Sequence, residues 1–340
     1  MESIPDTFKA VLVNKGKVYV EEVETQPLKE GEVRVRVEAT PVNPSDRMVV
    51  EGVYGIKELL NPQPTGMGFE GAGVVVEVHE SVGEDLIGKT VALSDNAHCP
   101  EYQGVWRQYI TKPAQSVIPM PDGIEPSQVC AAYVNPLTTI LMINQAKKFG
   151  HKALIHGAAC SALGKMLVRY ANKLGFPVIH VVRRQEQVDI LKDIGAEHIL
   201  DSSTETFDED LKKLSSELNA TAYFDPICGS FCTRVLTQMP AGSTAYVYGA
   251  LSGEPVTLSP IDIIFYQKSV SYLYLSIWMK EATQEEIKES IGIVVEDLVK
   301  GGEIFGSKIH ETYSLDNINE AIEAAVKDAT KGKICINPQL

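Results

Sequence analysis

Between residues 152 and 194 the chain alternates short apolar runs with amphipathic stretches at a regular pitch. Lys152-Ala153-Leu154-Ile155-His156-Gly157 reads as a short buried strand. Residues 162–174 (ALGKMLVRYANKL) carry apolar side chains at helical spacing. Val178-Ile179-His180-Val181-Val182 reads as a second strand, and residues 185–194 as a second helix. Ala222-Tyr223-Phe224-Asp225 and Thr244-Ala245-Tyr246-Val247-Tyr248 continue the series of strands. Runs this short suit strands, and the longer 3.6-residue pattern suits helices. Strand–helix–strand alternation at this pitch predicts a parallel, doubly wound α/β sheet, because parallel neighbours need a helical crossover between them.

The first turn of this unit carries the first functional signal. Gly157-Ala158-Ala159-Cys160-Ser161-Ala162-Leu163-Gly164 is a loop of small residues between a strand and a helix. Small side chains let backbone N–H groups approach a pyrophosphate at a helix N-terminus. Alone, the loop is a weak match to the dinucleotide fingerprint. The second strand, however, ends in Val182 and is followed by Arg183-Arg184, about 20 residues past the glycine turn. In NAD sites an acidic residue near that position bonds the ribose 2′-hydroxyl. Two guanidinium groups suit a 2′-phosphate instead, so the expected cofactor is NADPH. As surface charges at a helix start they would sit on the wrong end of the macrodipole.

The flanking segments have a different texture. Phe8, Ala10 and Leu12, then Val33, Val35 and Val37 against Arg34, Arg36 and Glu38, show the two-residue alternation of half-buried strands. Residues 41–125 are rich in Gly and Pro with short apolar runs, which predicts a β-rich unit with many turns. A helical stretch is expected from Pro126 toward Phe149-Gly150, and two amphipathic helices over 283–300 and 316–328. The predicted organisation is a β-rich domain split in sequence (1–125 and 273–340) around an inserted dinucleotide-type domain (126–272).

Charge and cysteine usage narrow the partners. A formal net charge of −14 argues against nucleic acid or an anionic membrane surface, since both need basic patches. No apolar run approaches the ~20 residues that span a bilayer. The six cysteines are scattered without a CxxC pair, the pattern of reduced thiols in a reducing compartment. Cys160, if at a helix N-terminus, is expected to have a lowered pKa and thiol reactivity. MESIPDTFKAVLVN is neither a signal peptide nor an Arg-rich transit peptide. A cytoplasmic protein is the expectation, or one of the mitochondrial matrix if a transit peptide has been removed.

Motif order then extends over nearly the whole chain. Val42-Asn43-Pro44-Ser45-Asp46 is followed by Gly52-Val53-Tyr54, then Gly68-Phe69-Glu70-Gly71-Ala72-Gly73-Val74, then Pro119, Pro121-Asp122-Gly123. In this the chain resembles the zinc-free quinone oxidoreductase and enoyl reductase branch of the medium-chain dehydrogenase/reductase superfamily. Four further segments resemble the 2-enoyl thioester reductases within it: Gly104-Val105-Trp106-Arg107, Val134-Asn135-Pro136-Leu137-Thr138, Val181-Val182-Arg183 and Leu275-Ser276-Ile277-Trp278. The resemblance implies a GroES-like β-rich catalytic domain, a Rossmann domain, an acyl-chain pocket and a homodimer joined through sheet edges. It implies Tyr54 as the catalytic tyrosine. It implies NADPH contacts at Asn135, at Cys160, Ser161, Ala162 and Leu163, and at Arg183 and Arg184. Further contacts are implied at Tyr248, Gly249, Ala250 and Leu251, at Leu273, Tyr274, Leu275 and Ser276, and at Lys333. Asn43, Trp106 and Trp278 are candidates for the substrate pocket, and the tryptophans equally suit core packing. Ala162 stands where relatives carry glycine, which adds a Cβ near the expected phosphate position.

A catalytic zinc needs three N, S or O ligands with an open fourth position. The Gly-His-Glu of zinc-dependent relatives is Gly68-Phe69-Glu70 here, so that histidine is lost. His98 and Cys99 are adjacent, and two adjacent ligands do not make a site. No metal is therefore expected. Without a Lewis acid for a simple carbonyl, conjugate reduction is favoured: hydride to the β-carbon of an α,β-unsaturated carbonyl, charge spread over an enolate, and a phenol of pKa about 10 to donate to its oxygen. Tyr54 is the candidate, directly or through water. The competing expectations are an NADPH:quinone or enone oxidoreductase of broad specificity, a non-catalytic NADPH-binding relative, and a zinc-type alcohol dehydrogenase.

Overall fold

A computed structural model describes residues 3–53, 64–95, 103–328 and 330–340. The chain divides into two compact units, Met1–Asn135 with Thr283–Leu340, and Pro136–Ala282.

The first unit is built on β1 (Thr7–Asn14), β2 (Lys17–Glu24), β3 (Glu32–Pro41), helix α1 (Pro44–Val50), β4 (Thr65–Gly66), β5 (Glu70–Val78), β6 (Thr90–Ser94), β7 (Tyr109–Pro113) and β8 (Ile118–Pro119). β1 and β2 form a hairpin closed by Lys15-Gly16, with φ of 48° and 77°, the positive values a two-residue hairpin turn of this hand requires. The alternation expected in β3 is present, with Val33, Val35 and Val37 fully buried. Arg34 departs from it. β3 runs between β5 and β7 in the middle of a seven-stranded sheet, so Arg34 is buried too. Its guanidinium is satisfied by Glu77 at 2.7 Å and the Gln26 carbonyl at 2.8 Å.

The helix expected from residue 126 to 149 is two helices, α2 (Pro126–Val129) and α3 (Val134–Lys148). The break has a specific cause. The backbone N–H groups of Tyr133 and Val134 are given to the Glu70 carboxylate, at 3.0 and 2.8 Å. A buried carboxylate is thus satisfied by the free donors of a helix start.

The second unit continues through β9 (Ala153–His156), α4 (Ala162–Leu174), β10 (Val178–Val182), α5 (Gln185–Asp193), β11 (His198–Asp201), α6 (Phe207–Glu217), β12 (Ala220–Asp225), α7 (Gly229–Gln238), β13 (Thr244–Val247), α8 (Pro260–Ile264), β14 (Ser269–Tyr272) and α9 (Leu275–Glu281). The six strands are parallel and run β11-β10-β9-β12-β13-β14 across the sheet. In order of appearance that is 3-2-1-4-5-6, the doubly wound arrangement with its switch point between β9 and β12. All residues of β9 and β10 are buried, the continuous burial of strands covered on both faces. One face packs Ile155, Ile179, Tyr223 and Ala245 against Phe207 and Leu211 of α6 and Val235 and Leu236 of α7.

The chain then returns to the first unit with α10 (Gln284–Val299), β15 (Ile309–Tyr313), α11 (Ile318–Lys327) and β16 (Lys333–Ile336). β16 pairs antiparallel with the end of β3, and this pairing carries Lys333 into the interior of the unit. No described helix is long and apolar enough to cross a membrane.

Candidate active site

In the second unit the loop from Gly157 to Ser161 joins β9 to α4 at the switch point of the sheet. Gly164 lies one turn inside α4 and packs against the loop. A Cβ there would stand 2.1 Å from the Ala159 carbonyl oxygen, so only glycine lets helix and loop close up. Ala158 has φ 50°, a left-handed conformation that costs a non-glycine residue about 1–2 kcal/mol. Ser161 caps α4, its hydroxyl accepting the Gly164 N–H at 3.1 Å. Ala162 is the first helical residue and Leu163 is buried. The backbone donors of a strained, tightly packed loop and a helix start are brought together where a pyrophosphate is held in such sheets.

Cys160 is 2% exposed, and burial raises its thiol pKa against the pull of Lys165 and Arg184. This corrects the expectation of a lowered, reactive thiol: the group is desolvated as well as near a helix start, and desolvation dominates. Arg183 and Arg184 are both exposed in the turn after β10. The Arg183 N–H is held by the Gln187 side chain at 3.1 Å.

Tyr248, Gly249, Ala250 and Leu251 follow β13. The Tyr248 N–H donates to the Asp225 carbonyl at 3.0 Å and the Leu251 N–H to the Pro226 carbonyl at 3.0 Å. These bonds hold the segment against the end of β12. Leu273 is buried, Tyr274 exposed, and Leu275 and Ser276 open α9, where Trp278 is half-buried.

Two histidines, not singled out in the sequence, lie under the loop. His156 and His180 are in-register partners on β9 and β10, with no more than 2% of either exposed. Burial pushes both imidazoles down to about 3, helped by His180 at His156 and by His198 at His180. Each stays neutral in the folded unit, while the unfolded chain takes up a proton below the ordinary value of 6.5. Stability from this source is complete above pH 6.5 and falls as pH drops toward 3. The slope is about 1.4 kcal/mol per pH unit per histidine. Hydrogen exchange of the β9 and β10 amides is expected to show opening made easier by about 4 kcal/mol between pH 7.5 and pH 5. Equal protection at the two pH values, after correction for intrinsic rates, would contradict it.

The first unit holds a buried polar cluster. The Lys333 ammonium donates to Asn43 Oδ1, and Asn43 Nδ2 donates to Glu70 Oε1 at 2.8 Å. Glu70 Oε2 takes the two N–H groups at the start of α3. Asp46, third residue of α1, accepts the Asn43 N–H at 2.8 Å through Oδ2, the helix-start half of a capping box. Asn43, Asp46, Glu70 and Lys333 are all buried. Burial raises the Asp46 carboxyl to about 7, with Asn43 and Lys333 opposing, and lowers the Lys333 ammonium, with Glu70 and Asp46 opposing. One amide thus bridges an ammonium and a carboxylate, with a second carboxyl poised to hold or release a proton near neutrality.

This cluster revises two pocket candidates. Asn43 is 2% exposed and its amide is occupied by Lys333 and Glu70, so it organises the interior rather than lining a pocket. Trp106 is fully buried in the core with Val11, Met67 and Ile334, its indole N–H donating to the Pro41 carbonyl at 3.3 Å. Gly68, at φ 95°, is packed against that indole, where a Cβ would come within 2.4 Å of it. Lys333 is itself 7% exposed and Asn135 8%. Glu70 and Asp46 were not singled out as site residues. The Asn43–Asp46 cap spacing was the available signal for Asp46, and the glutamate surviving from Gly-His-Glu the signal for Glu70. No group of three His, Cys, Asp or Glu side chains among the described residues could hold a metal ion. Tyr54, His98 and Cys99 lie outside the described residues.

Comparison with known proteins places this architecture. An alcohol dehydrogenase GroES-like domain matches residues 29–122, and a zinc-binding dehydrogenase domain matches residues 162–296. The mitochondrial enoyl-[acyl-carrier-protein] reductase of Mus musculus is 28% identical over 327 residues, 93% of this chain and 83% of the mouse protein. A 2-haloacrylate reductase from Burkholderia sp is 26% identical over 94% of each chain. The crystal structure of a putative NADPH:quinone reductase from Mesorhizobium loti superposes with a TM-score of 0.84, covering 99% of this chain and 100% of that one, at 26% identity.

Proposed function

The chain belongs to the medium-chain dehydrogenase/reductase superfamily, and from that premise we propose that it uses NADPH to reduce activated carbon–carbon double bonds, with 2-enoyl thioesters as substrates. The observation that carries the cofactor reading is the exposed Arg183-Arg184 pair beside a tight, helix-capped loop at the switch point of the sheet. Bound NADPH supplies the hydride. The loop Cys160–Leu163 and the start of α4 hold the pyrophosphate through backbone N–H groups, and Arg183 and Arg184 take the 2′-phosphate. The segments Tyr248–Leu251 and Leu273–Ser276 complete its contacts within the second unit.

The substrate class rests on the relatives. An enoyl thioester and a 2-haloacrylate share a double bond conjugated to a carboxyl-derived group. Tyr54, from the Gly-Val-Tyr motif, hydrogen-bonds the enolate oxygen, directly or through water, as the hydride adds to the β-carbon, and a proton from solvent then adds to the α-carbon as the carbonyl re-forms, giving the saturated product. The likeness to a putative NADPH:quinone reductase supports a second reading, a quinone or enone reductase on the same fold. Steady-state assays of crotonyl-type thioesters, small enones and quinones, each with NADPH and NADH, separate the two. The enoyl reading expects kcat/KM for a thioester at least 100-fold above that for quinones, with NADPH preferred. Faster quinone reduction would install the second reading. Tyr54→Phe is expected to lower kcat about 100-fold, in the range of a lost general acid, with KM nearly unchanged. Full turnover by that variant would remove the assignment.

The proposed assembly is a homodimer through β14. This strand ends the six-stranded sheet and all four of its residues are exposed. Ser269 and Leu273 donate their N–H groups to the Ser243 and Val247 carbonyls of the neighbouring chain segment, so Val270 and Tyr272 turn theirs to the open edge. Ile263, Ile264 and Phe265, just before that strand, are 50–73% exposed, an apolar surface on an unpaired edge that monomers avoid. Sedimentation is expected to give a dimer for the wild type and a 37.2 kDa species for Val270→Pro with Phe265→Asp. A wild-type monomer at micromolar concentration would refute it.

A further inference from the structure

Asp225 is the last residue of β12, beside the switch point of the six-stranded sheet, and it is fully buried. Its carboxylate takes three donors. Oδ1 accepts the Tyr223 hydroxyl at 3.0 Å and the Ile227 N–H at 2.8 Å, and Oδ2 accepts the Cys228 N–H at 3.0 Å. Burial and the neighbouring carboxylate push the Tyr223 phenol well above its ordinary range, so it stays a donor. A carboxylate taken out of water is costly unless both oxygens are hydrogen-bonded. The three donors are therefore held closely to it.

Two of these donors belong to the turn that follows, and that turn is strained. Cys228 has φ 67° and ψ −159°, a region that glycine enters freely and that strains any other residue. The same turn carries the segment after β13. Tyr248 donates its N–H to the Asp225 carbonyl at 3.0 Å, Leu251 to the Pro226 carbonyl at 3.0 Å and Ser252 to the Ile227 carbonyl at 2.9 Å. The Cys228 thiol donates to the Gly249 carbonyl at 3.0 Å, and a Cβ on Gly249 would stand 2.8 Å from the Pro226 oxygen. The loop between β9 and α4 meets the same group. The Gly157 N–H donates to the Phe224 carbonyl at 3.2 Å, and a Cβ on Gly157 would stand 2.9 Å from the Tyr223 hydroxyl oxygen. One carboxylate thus ties together the chain at the carboxyl ends of β9, β12 and β13, the side on which doubly wound sheets bind their ligands.

We infer that Asp225 is a positioning residue for the dinucleotide: its carboxylate holds the 226–228 turn in its strained conformation, and the turn fixes the Tyr248–Leu251 segment in the place from which it contacts NADPH. The inference rests on the cofactor reading above for its ligand, and on the geometry of the unit for the clamp. Asp225 acts through the backbone of Ile227 and Cys228 and needs no contact of its own with the ligand.

Hydrogen exchange and NADPH titration of the full-length protein test it. In the ligand-free wild type, the Ile227, Cys228, Leu251 and Ser252 amides are expected to be protected and to open together. Rapid exchange at Leu251 and Ser252 beside protected Ile227 and Cys228 would overturn the inference, and this measurement decides even if a variant fails to fold. Fluorescence titration is expected to show NADPH affinity about tenfold weaker in Asp225→Asn, where an NH2 group meets a donor of the turn or the Tyr223 hydroxyl. Tyr223→Phe removes a bond to the same carboxylate but none from the turn. It is expected to melt lower than wild type yet bind NADPH within about twofold of it. Adding Cys228→Gly to Asp225→Asn is expected to bring affinity back to within about threefold of wild type, because glycine adopts the turn without the clamp. Unchanged affinity in Asp225→Asn, an affinity that falls alike in Tyr223→Phe and Asp225→Asn, or no recovery with Cys228→Gly would each overturn the positioning role. Failure of the wild type itself to bind NADPH would remove the cofactor reading and the ligand with it, and hydrogen exchange would still decide the clamp.

Discussion

Replacing Arg183 and Arg184 together by alanine is expected to raise the dissociation constant for NADPH about 100-fold and to leave that for NADH within about twofold. Both side chains are exposed in the turn between β10 and α5, and neither is ion-paired with a carboxylate among the described residues. They stand at the start of a helix, where the macrodipole disfavours positive charge by ~0.3–1 kcal/mol each. A pair of exposed guanidinium groups in that place is open to an anion. Hydrogen bonds to charged groups contribute ~1.5–3 kcal/mol, so loss of the pair amounts to ~3 kcal/mol, a factor of about 100. Titration by the fluorescence of the reduced nicotinamide measures both constants. An equal loss for the two cofactors would show that the arginines do not read the 2′-phosphate, and would reopen NADH as the cofactor. The selectivity should also weaken with added salt, because both groups are solvated.

Removing the Lys333 charge is expected to have the largest effect on stability. Lys333→Met leaves Glu70 and Asp46 inside the first unit without their counter-ion. Stripping one partner from a buried charged set costs about 3–5 kcal/mol, a fall in melting temperature on the order of 10 °C. The defect should depend on pH in a particular direction. The Asp46 carboxyl is already raised to about 7 with the ammonium nearby, and loss of Lys333 raises it further. A carboxyl with a raised folded pKa stabilises when protonated, and that stability is lost as pH rises. The variant should therefore melt closest to wild type near pH 5 and furthest below it near pH 8, followed by calorimetry. A small loss independent of pH would mean that the ammonium does not compensate the two carboxyls. Asn43→Leu should reproduce part of the loss, because the amide is the link between Lys333 and Glu70.

The strands and helices of the second unit were legible because they are local. β9, β10 and β12 are short apolar runs and α4 a plain amphipathic repeat, and burial on both faces of a parallel sheet leaves that pattern in any window of ten residues or so. The small-residue loop and the arginines after it follow from the same local geometry, since Gly164 is demanded by contact with Ala159, five residues before it. The break between α2 and α3 was legible only in Pro136, which belongs in the first turn of a helix and not in its interior. The partner that takes the N–H groups freed at the break had no such signal: it is a carboxylate more than 60 residues earlier, at Glu70.

The sequence by itself determined the class of fold, the place of the small-residue loop between β9 and α4 and the arginine pair after β10, because each is written in spacings shorter than one strand–helix–strand repeat. Only the tertiary structure decided what Asn43, Trp106 and Cys160 do. Asn43 and Lys333 meet across 290 positions of chain, Trp106 closes the core, and burial reverses the expected shift at Cys160. Hydrogen bonds of that range and the desolvation that sets a pKa have no period along the chain. They exist only once the sheets have closed and water has been excluded.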